Sequence, residues 1–167
     1  MAEVGVLPPD ARVELIDGAI IDMAPIGSRH GAAVDFLSER FFLALDGAAI
    51  VRTQGSVRLS IRSEPQPDLA ILRKRVDRYA DSHPTAADIL LIVEVSDRTL
   101  DYDRNVKAEL YARHGIRELW IVDVNDVLVH VLRNPRAGEY AERSTVPPGV
   151  MPIPGVTIDV DLTGLLS

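Results

Sequence analysis

Apolar residues occur along this chain in short runs, some with the two-residue period of a strand and others with the period of a helix. The longest patterned stretch, residues 88–123, combines an apolar run, a turn, a helical repeat and a second apolar run. Its first run, residues 89–95, is apolar except for Glu94, which is typical of a strand covered on both faces. Because side chains alternate along a strand, Glu94 is expected on the same face as Leu90 and Ile92.

The same patterns predict elements along the rest of the chain. Asp17-Gly18 between two apolar runs predicts a two-residue hairpin turn. One helix is predicted over residues 28–45 with Ser28 as its cap, and a second over about residues 101–114. The predicted strands are short apolar or alternating runs at residues 13–16, 19–23, 50–54, 56–61, 68–72, 89–95, 118–124, 127–133, 139–144 and 156–160.

This order of elements predicts a mixed α/β sheet with flanking helices. The 167 residues suit a single domain with a substantial core. Within that domain, residues 1–11 are expected to form a loose lead-in and residues 145–167 an irregular tail that packs on the core. An apolar content of 47% and a charged content of 26% describe an ordinary soluble globular protein.

The composition limits the expected cellular location and the expected binding partners. The chain contains no cysteine, which excludes disulfides and thiolate zinc sites and favours a cytoplasmic location. No apolar run approaches the ~20 residues of a transmembrane helix, and the first residues lack the pattern of a signal peptide, so no membrane partner is expected. The net charge of −7 argues against a broad basic surface for sequence-independent nucleic-acid binding, although metal-binding carboxylates would contribute to that charge.

Asp68 and Glu94 are the first candidates for chemistry. Asp68 opens a predicted strand and Glu94 lies near the end of another, so antiparallel pairing would bring both carboxylates to one edge of the sheet. A carboxylate on an apolar face is costly unless it meets a cation, a metal ion or several donors. Two converging carboxylates can hold a hard divalent cation such as Mg²⁺. The alternative is that Asp68 is a turn residue and Glu94 pairs with an arginine or lysine.

Lys107 is the second candidate, because helical spacing places it on one side of the predicted helix with Asp103 and Tyr111. That side also carries apolar residues and is expected to face the sheet. A lysine there could orient an attacking water or neutralise a developing phosphoryl charge. The alternative is an exposed ion pair with Asp103, worth a few tenths of a kcal/mol.

Glu14 and His30 are weaker candidates. Glu14 lies in the first predicted strand, where it could approach a metal or be a solvated residue. His30 lies on the first turn of the first helix and could contact a phosphate or bind metal, although a capping or partly buried histidine is the commoner outcome. The four histidines show no close ligand spacing, which argues against a histidine zinc site.

Several of these segments together resemble one known family. They are Val13-Glu14-Leu15-Ile16-Asp17-Gly18, Pro67-Asp68, Val93-Glu94-Val95-Ser96, Tyr102-Asp103-Arg104, Lys107, Tyr111-Ala112 and residues 115–123. Over about residues 12–133 the chain is similar to the Uma-type endonucleases of the PD-(D/E)xK, restriction-endonuclease-like superfamily. In the superfamily motif a lysine follows the second acid by two residues, but this chain has Ser96 at that position. In the Uma-type family the lysine comes from the following helix, and Lys107 matches that place.

The resemblance implies a restriction-endonuclease-like core with an N-terminal β-hairpin. It also implies a homodimeric, Mg²⁺-dependent endonuclease that hydrolyses phosphodiester bonds in DNA, with Mn²⁺ as the substitute ion. On this hypothesis Asp68, Glu94 and the carbonyl of Val95 hold the metal, and Lys107 acts on the water or the transition state. Glu14 is expected to be a further metal ligand or an orienting acid. Asp103 and Tyr111 are expected to support the lysine, and His30 to contact a phosphate. The rival hypothesis is a non-catalytic dimeric module that keeps the fold for protein interaction or DNA binding.

Overall fold

The computed structural model describes residues 12–23 and 25–167. The predicted lead-in, residues 1–11, lies outside the described residues. The helices are α1 (Ser28–Leu45), a 3-10 turn (Ala86–Asp88) and α2, which spans residues 100–113 as Leu100–Tyr102, a π-helical turn Asp103–Lys107, and Ala108–Arg113. The strands are β1 (Val13–Ile16), β2 (Ala19–Asp22), β3 (Ala49–Thr53), β4 (Leu69–Arg73), β5 (Ile89–Ser96), β6 (Glu118–Asp123), β7 (Leu128–Arg136), β8 (Glu139–Val146), β9 (Val150–Pro152) and β10 (Asp159–Asp161).

A six-stranded mixed sheet forms the centre of the molecule, with strand order β3-β4-β5-β6-β7-β8. Its neighbouring strands pair antiparallel except β5 and β6, which are parallel. A parallel pair needs a crossover connection, and α2 supplies it here. The fold is therefore the mixed α/β sheet with flanking helices that the sequence predicts.

Each face of the sheet is covered by one helix. The buried stripe of α1 packs on one face, where Phe41 and Trp120 have ring centroids 5.8 Å apart. Ala108, Tyr111 and Ala112 of α2 pack on the other face. Because both faces are covered, every residue of β5 and β6 is buried, which confirms the prediction for residues 89–95.

The first hairpin also forms as predicted. β1 and β2 pair antiparallel around Asp17 and Gly18, which both have positive φ, at 51° and 87°. Two successive positive φ angles are the requirement of the favoured two-residue hairpin turn, and an Asp-Gly pair meets it at low steric cost. The hairpin is a separate two-stranded sheet.

The predicted strand at residues 56–61 is wrong. This segment makes only isolated bridges, and its Val57 and Leu59 amides donate to the carbonyls of Pro65 and Ser63. It thus folds back on residues 63–65, where Pro65 has no N–H with which to extend a ladder. The alternating pattern reflects a buried Val57 between a half-buried Ser56 and an exposed Arg58, not a strand of the sheet.

Two further predictions need correction. The residue at the N-cap of α1 is Gly27, and Ser28 is already helical, with no side-chain cap bond. Leu90 lies on the α1 face of the sheet, whereas Ile92 lies on the α2 face. The cause is a register shift in the pairing of β5 with β4. Ile71 pairs with Leu91 and Leu72 pairs with Ile89, so Leu90 has no partner in β4.

The C-terminal residues contain a short sheet of their own. β9 pairs antiparallel with β10, so the strand predicted at residues 156–160 lies slightly later, at Asp159–Asp161. Met151, Val160 and Leu162 are buried against the α1 side of the core. Within the part of the chain that the structure describes, no helix has the length and apolar character needed to cross a membrane.

Candidate active site

Strand pairing places Asp68 beside Glu94. Leu69 of β4 lies opposite Val93 of β5 in an antiparallel pair. Asp68, which precedes Leu69, is therefore a neighbour of Glu94, which follows Val93. The Asp68 amide donates to Glu94 Oε2 over 3.4 Å, and the Val95 amide donates to Asp68 Oδ2 over 2.9 Å. Both carboxylates are buried where β4 begins and β5 ends, as antiparallel pairing predicts.

The Lys107 side chain points toward the Asp68 and Glu94 ends of β4 and β5, and not to solvent. Its Nζ lies 3.1 Å from Glu94 Oε1 and 3.4 Å from Glu14 Oε2, and the residue is 7% exposed. The exposed ion pair with Asp103, which was the alternative from spacing, does not form. Glu14 is itself buried and reaches the site from β1, so a carboxylate of the N-terminal hairpin meets the lysine of α2.

A π-helical turn delivers Lys107 to this position. The Ala108 amide donates to the carbonyl of Asp103, five residues back, within Asp103–Lys107. Asp103 and Lys107 are buried at the two ends of this turn, while the residues between them are exposed. Such turns contain one residue more than an α-helical turn and are frequent at functional sites.

Asp103 is held by two hydroxyl groups. Ser96 Oγ and Thr99 Oγ1 each donate to Asp103 Oδ2 over 2.6 Å. Burial raises the pKa of Asp103, and the nearby Lys107 ammonium and the two hydroxyl donors only partly offset that rise. Ser96, two residues after Glu94, therefore anchors an acid on the same helix turn that supplies Lys107.

Burial also dominates the electrostatics of Glu94. It raises the pKa of Glu94 to about 8, with the Lys107 ammonium opposing the shift and Asp68 and Asp103 adding to it. Tyr111 donates its hydroxyl to Glu94 Oε1 over 2.6 Å, and burial together with Glu94 raises the pKa of this phenol, so it stays a donor. Burial alone would lower the pKa of Lys107, but the surrounding carboxylates raise it overall, so the amine stays charged.

The free energy of unfolding of the metal-free protein is expected to fall as the pH rises from about 4.5 to 8. In this range the folded state keeps the Glu94 proton that the unfolded state has released, so raising the pH favours unfolding. The slope is at most about 1.4 kcal/mol per pH unit for this group. Urea denaturation in the presence of a chelator measures it, as the difference between wild type and Glu94→Gln. A difference that is constant between pH 5 and 8 would contradict the raised pKa.

His30 contacts the other carboxylate of the pair. Its Nε2 lies 2.9 Å from Asp68 Oδ1, and this hydrogen bond raises the pKa of the imidazole. The contact of His30 with a phosphate or metal stays a prediction. The imidazole remains on the wall of the cavity described below.

Two glutamines complete the site, and no sequence motif identifies either of them. Gln54 Nε2 lies 3.5 Å from Asp68 Oδ1, and the Gln66 amide donates to Glu14 Oε2 over 3.3 Å. The Gln66 side chain also donates to the backbone carbonyl of Gln54. The only available signal was their position at the ends of segments that flank Asp68, which is too weak to identify them.

The floor of a cavity of about 570 Å³ is formed by Glu14, Gln66, Asp68, Glu94 and Lys107. One wall is apolar and comes from β2 and the connection to α1, with Ile21, Met23 and Ile26. Polar and aromatic residues on the wall include Arg12, Arg98 and Tyr102. Ligand cavities in proteins commonly measure about 300–1,000 Å³, so a nucleotide-sized group fits this one.

The oxygen and nitrogen donors at this site suit some metal ions better than others. Among residues 12–23 and 25–167, no three histidine or acidic side chains converge as a ready metal cluster. Asp68 and Glu94 offer two hard carboxylates at one point, and Val95 lines the same cavity. Mg²⁺ is commonly held by one or two carboxylates while it keeps several waters, so these residues fit Mg²⁺ and not a histidine-rich zinc centre.

Comparison with solved structures shows that the fold is that of a nuclease-like α/β protein. A crystal structure described as "a putative nuclease belonging to DUF820" from Anabaena variabilis superposes with a TM-score of 0.71. The match covers 98% of this chain and 94% of the other, at 15% sequence identity. At that identity the similarity establishes the fold.

The chain belongs to the Uma2 family, described as "Putative restriction endonuclease", which matches residues 2–164. This confirms the resemblance drawn from the Val13–Gly18, Asp68, Glu94 and Lys107 segments. The comparison with curated proteins found no match. The description of the family therefore supports a nuclease, and the fold is compatible with it.

Proposed function

We propose that the protein is a Mg²⁺-dependent endonuclease that hydrolyses phosphodiester bonds in DNA. The observation that carries the proposal is the buried cluster of Asp68, Glu94 and Lys107 at the floor of an open cavity. Two acids and a lysine at one sheet edge are the groups that metal-assisted phosphodiester hydrolysis needs. The nuclease fold and the family support the reaction class.

Asp68, Glu94 and the carbonyl of Val95 would hold the metal, with Mn²⁺ as a substitute for Mg²⁺. When bound, the ion supplies Lewis-acid polarisation of the scissile phosphate and lowers the pKa of a coordinated water. The Val95 amide and His30 fix the two oxygens of Asp68, so this carboxylate is already oriented. Orientation of this kind lowers the cost of assembling the reacting groups.

Lys107 supplies a fixed positive charge next to the proposed phosphate position. Its ammonium is held by Glu14 and Glu94, so it needs little reorganisation when negative charge develops on the phosphoryl oxygens. The same ammonium could orient the attacking water. Asp103 and Tyr111 then act through their neighbours, because Asp103 adds negative charge near the lysine and Tyr111 holds Glu94.

Nicking of supercoiled plasmid DNA in Mg²⁺ or Mn²⁺ is the expected activity, and a chelator should abolish it. In Asp68→Ala the rate is expected to fall by at least about 100-fold, since one of two hard ligands is lost. The measurement is the conversion of supercoiled to open-circular plasmid on a gel. Asp35→Ala is the matched control, because Asp35 is an exposed acid of α1, and it should nick at the wild-type rate.

One observation favours the rival, a non-catalytic dimeric module that uses the fold for interaction or DNA binding. Lys107 neutralises its acidic neighbours without a metal, so the cluster could serve as a structural ion pair. DNA binding that is equally tight with and without metal, and no nicking under any metal, would establish this rival. The homodimer and the cytoplasmic location implied at the sequence level stay predictions.

A further inference from the structure

A second, smaller cavity lies on the same face of the sheet as Glu94. Its volume is about 160 Å³, and its lining residues are Arg104, His130, Leu132, Arg143, Ser144 and Thr145. Glu94 pairs with Ile121, which pairs with His130, so one row of side chains crosses the sheet from the candidate active site to this cavity. Two strand spacings separate the backbones of Glu94 and His130, or about 10 Å.

His130, which lines this second cavity, has one ring nitrogen without a hydrogen-bond partner among the described residues. His130 Nδ1 lies 2.8 Å from Thr145 Oγ1, but the buried Nε2 has no hydrogen-bond partner among the residues that the structure describes. Buried polar atoms in folded proteins are nearly always paired, so each exception needs an explanation. A hydroxyl that donates to Nδ1 leaves the proton on Nε2, which then lacks an acceptor.

Two arginines line the cavity together with His130. Arg104 comes from the exposed side of the π-helical turn and Arg143 from β8. Within residues 12–23 and 25–167, neither guanidinium has an ion-pair partner. Burial and then the Arg104 charge lower the pKa of His130, whereas Asp123 and Asp126 act weakly in the opposite direction. The cavity is thus a local positive site on a chain of net charge −7.

We propose that this cavity binds a phosphate group. Guanidinium groups match phosphate oxygens in geometry and charge, and an oxyanion would also accept a hydrogen bond from His130 Nε2. The volume is below the range of about 300–1,000 Å³ for drug-sized ligands, so it suits one phosphate and not a whole nucleoside. The phosphate belongs either to a nucleic-acid backbone or to a free phosphate or phosphomonoester.

Histidine NMR on the full chain tests the proposal with inorganic phosphate as the probe. The His130 ring signals are assigned by their loss in His130→Gln, and they are expected to shift saturably with phosphate. In Arg143→Gln the apparent Kd is expected to rise at least about tenfold, which is the effect of losing one charge-assisted contact. Arg136→Gln, which removes an exposed arginine from the same β7–β8 hairpin but outside the cavity, should titrate as wild type.

A duplex oligonucleotide then distinguishes the two sources, in an Asp68→Ala background that cannot cleave it. If the phosphate comes from DNA, the duplex shifts the His130 signals at concentrations below the Kd measured for inorganic phosphate. Arg143→Gln then reduces the slope of log binding constant against log salt concentration by about 1. If only inorganic phosphate shifts His130, the site takes a free phosphate or phosphomonoester. No saturable His130 shift with either probe, or an equal shift in Arg143→Gln, would overturn the proposal. The phosphate arm does not depend on nuclease activity, so its failure is distinct from failure of the proposed function.

Discussion

The Lys107→Met variant is expected to lose turnover by about 10²–10³-fold while it retains its affinity for Mn²⁺. The ammonium is the fixed positive group at the floor of the cavity, held 3.1 Å from Glu94 Oε1 and 3.4 Å from Glu14 Oε2. Removing it deprives the transition state of charge stabilisation but leaves Asp68 and Glu94 in place. Nicking rates and Mn²⁺ calorimetry on the same preparation measure the two effects separately.

This variant is also expected to be less stable, which the sequence alone does not predict. Breaking a buried ion pair from one side typically costs about 3–5 kcal/mol, because the remaining charge has no partner. The double variant Glu14→Gln with Lys107→Met removes the stranded Glu14 carboxylate and should regain part of the lost stability. If it regains stability but not turnover, the lysine acts in the reaction. Wild-type turnover in Lys107→Met would show that the lysine is structural.

Glu94→Gln is expected to lose about 10³-fold or more in turnover and to bind Mn²⁺ only weakly, with a nearly unchanged Tm at neutral pH. A hard cation needs the carboxylate charge, and the amide cannot supply it. Folding needs that charge much less, since burial raises the pKa of Glu94 to about 8 and the metal-free protein holds it largely neutral near pH 7. The amide oxygen can still accept from Tyr111 and Lys107. Calorimetry with Mn²⁺ and thermal melts check the two halves.

Glu118→Gln provides the matched control for Glu94→Gln. Glu118 is also a buried strand acid, but Trp120 donates to it over 2.6 Å and Arg133 over 2.9 Å, away from the cavity. This variant is expected to lose stability and to keep its Mn²⁺ affinity. The reverse result for Glu94→Gln, with a large loss of Tm and intact metal affinity, would identify Glu94 as a structural ion-pair partner.

Features fixed by local patterns could be predicted from the sequence. The alternating and helical periods located α1, β5 and β6, and the Asp-Gly pair located the first hairpin. The meeting of Asp68 and Glu94 required one further assumption, antiparallel pairing of their strands, which the structure shows.

Features that depend on contacts distant in sequence could not. The position of Leu90 depends on a register shift against β4, and residues 56–61 fold back through hydrogen bonds to residues 63–65. The polar contacts of Gln54 appear only when its segment lies beside Asp68. The cavity around His130 requires α2 to lie over β7 and β8, and no spacing within one segment encodes that arrangement.

The π-helical turn of α2 places a limit on how this segment can vary in length. One residue added to a helix rotates everything beyond it by about 100° around the axis. The turn at Asp103–Lys107 contains such an extra residue, and Tyr111 on its far side must still reach Glu94. Substitutions on the exposed side of the turn are therefore compatible with the candidate active site, whereas a single-residue insertion or deletion inside α2 between Lys107 and Tyr111 would turn Tyr111 away from Glu94. Relatives that share this site should differ in length elsewhere, in the surface connections.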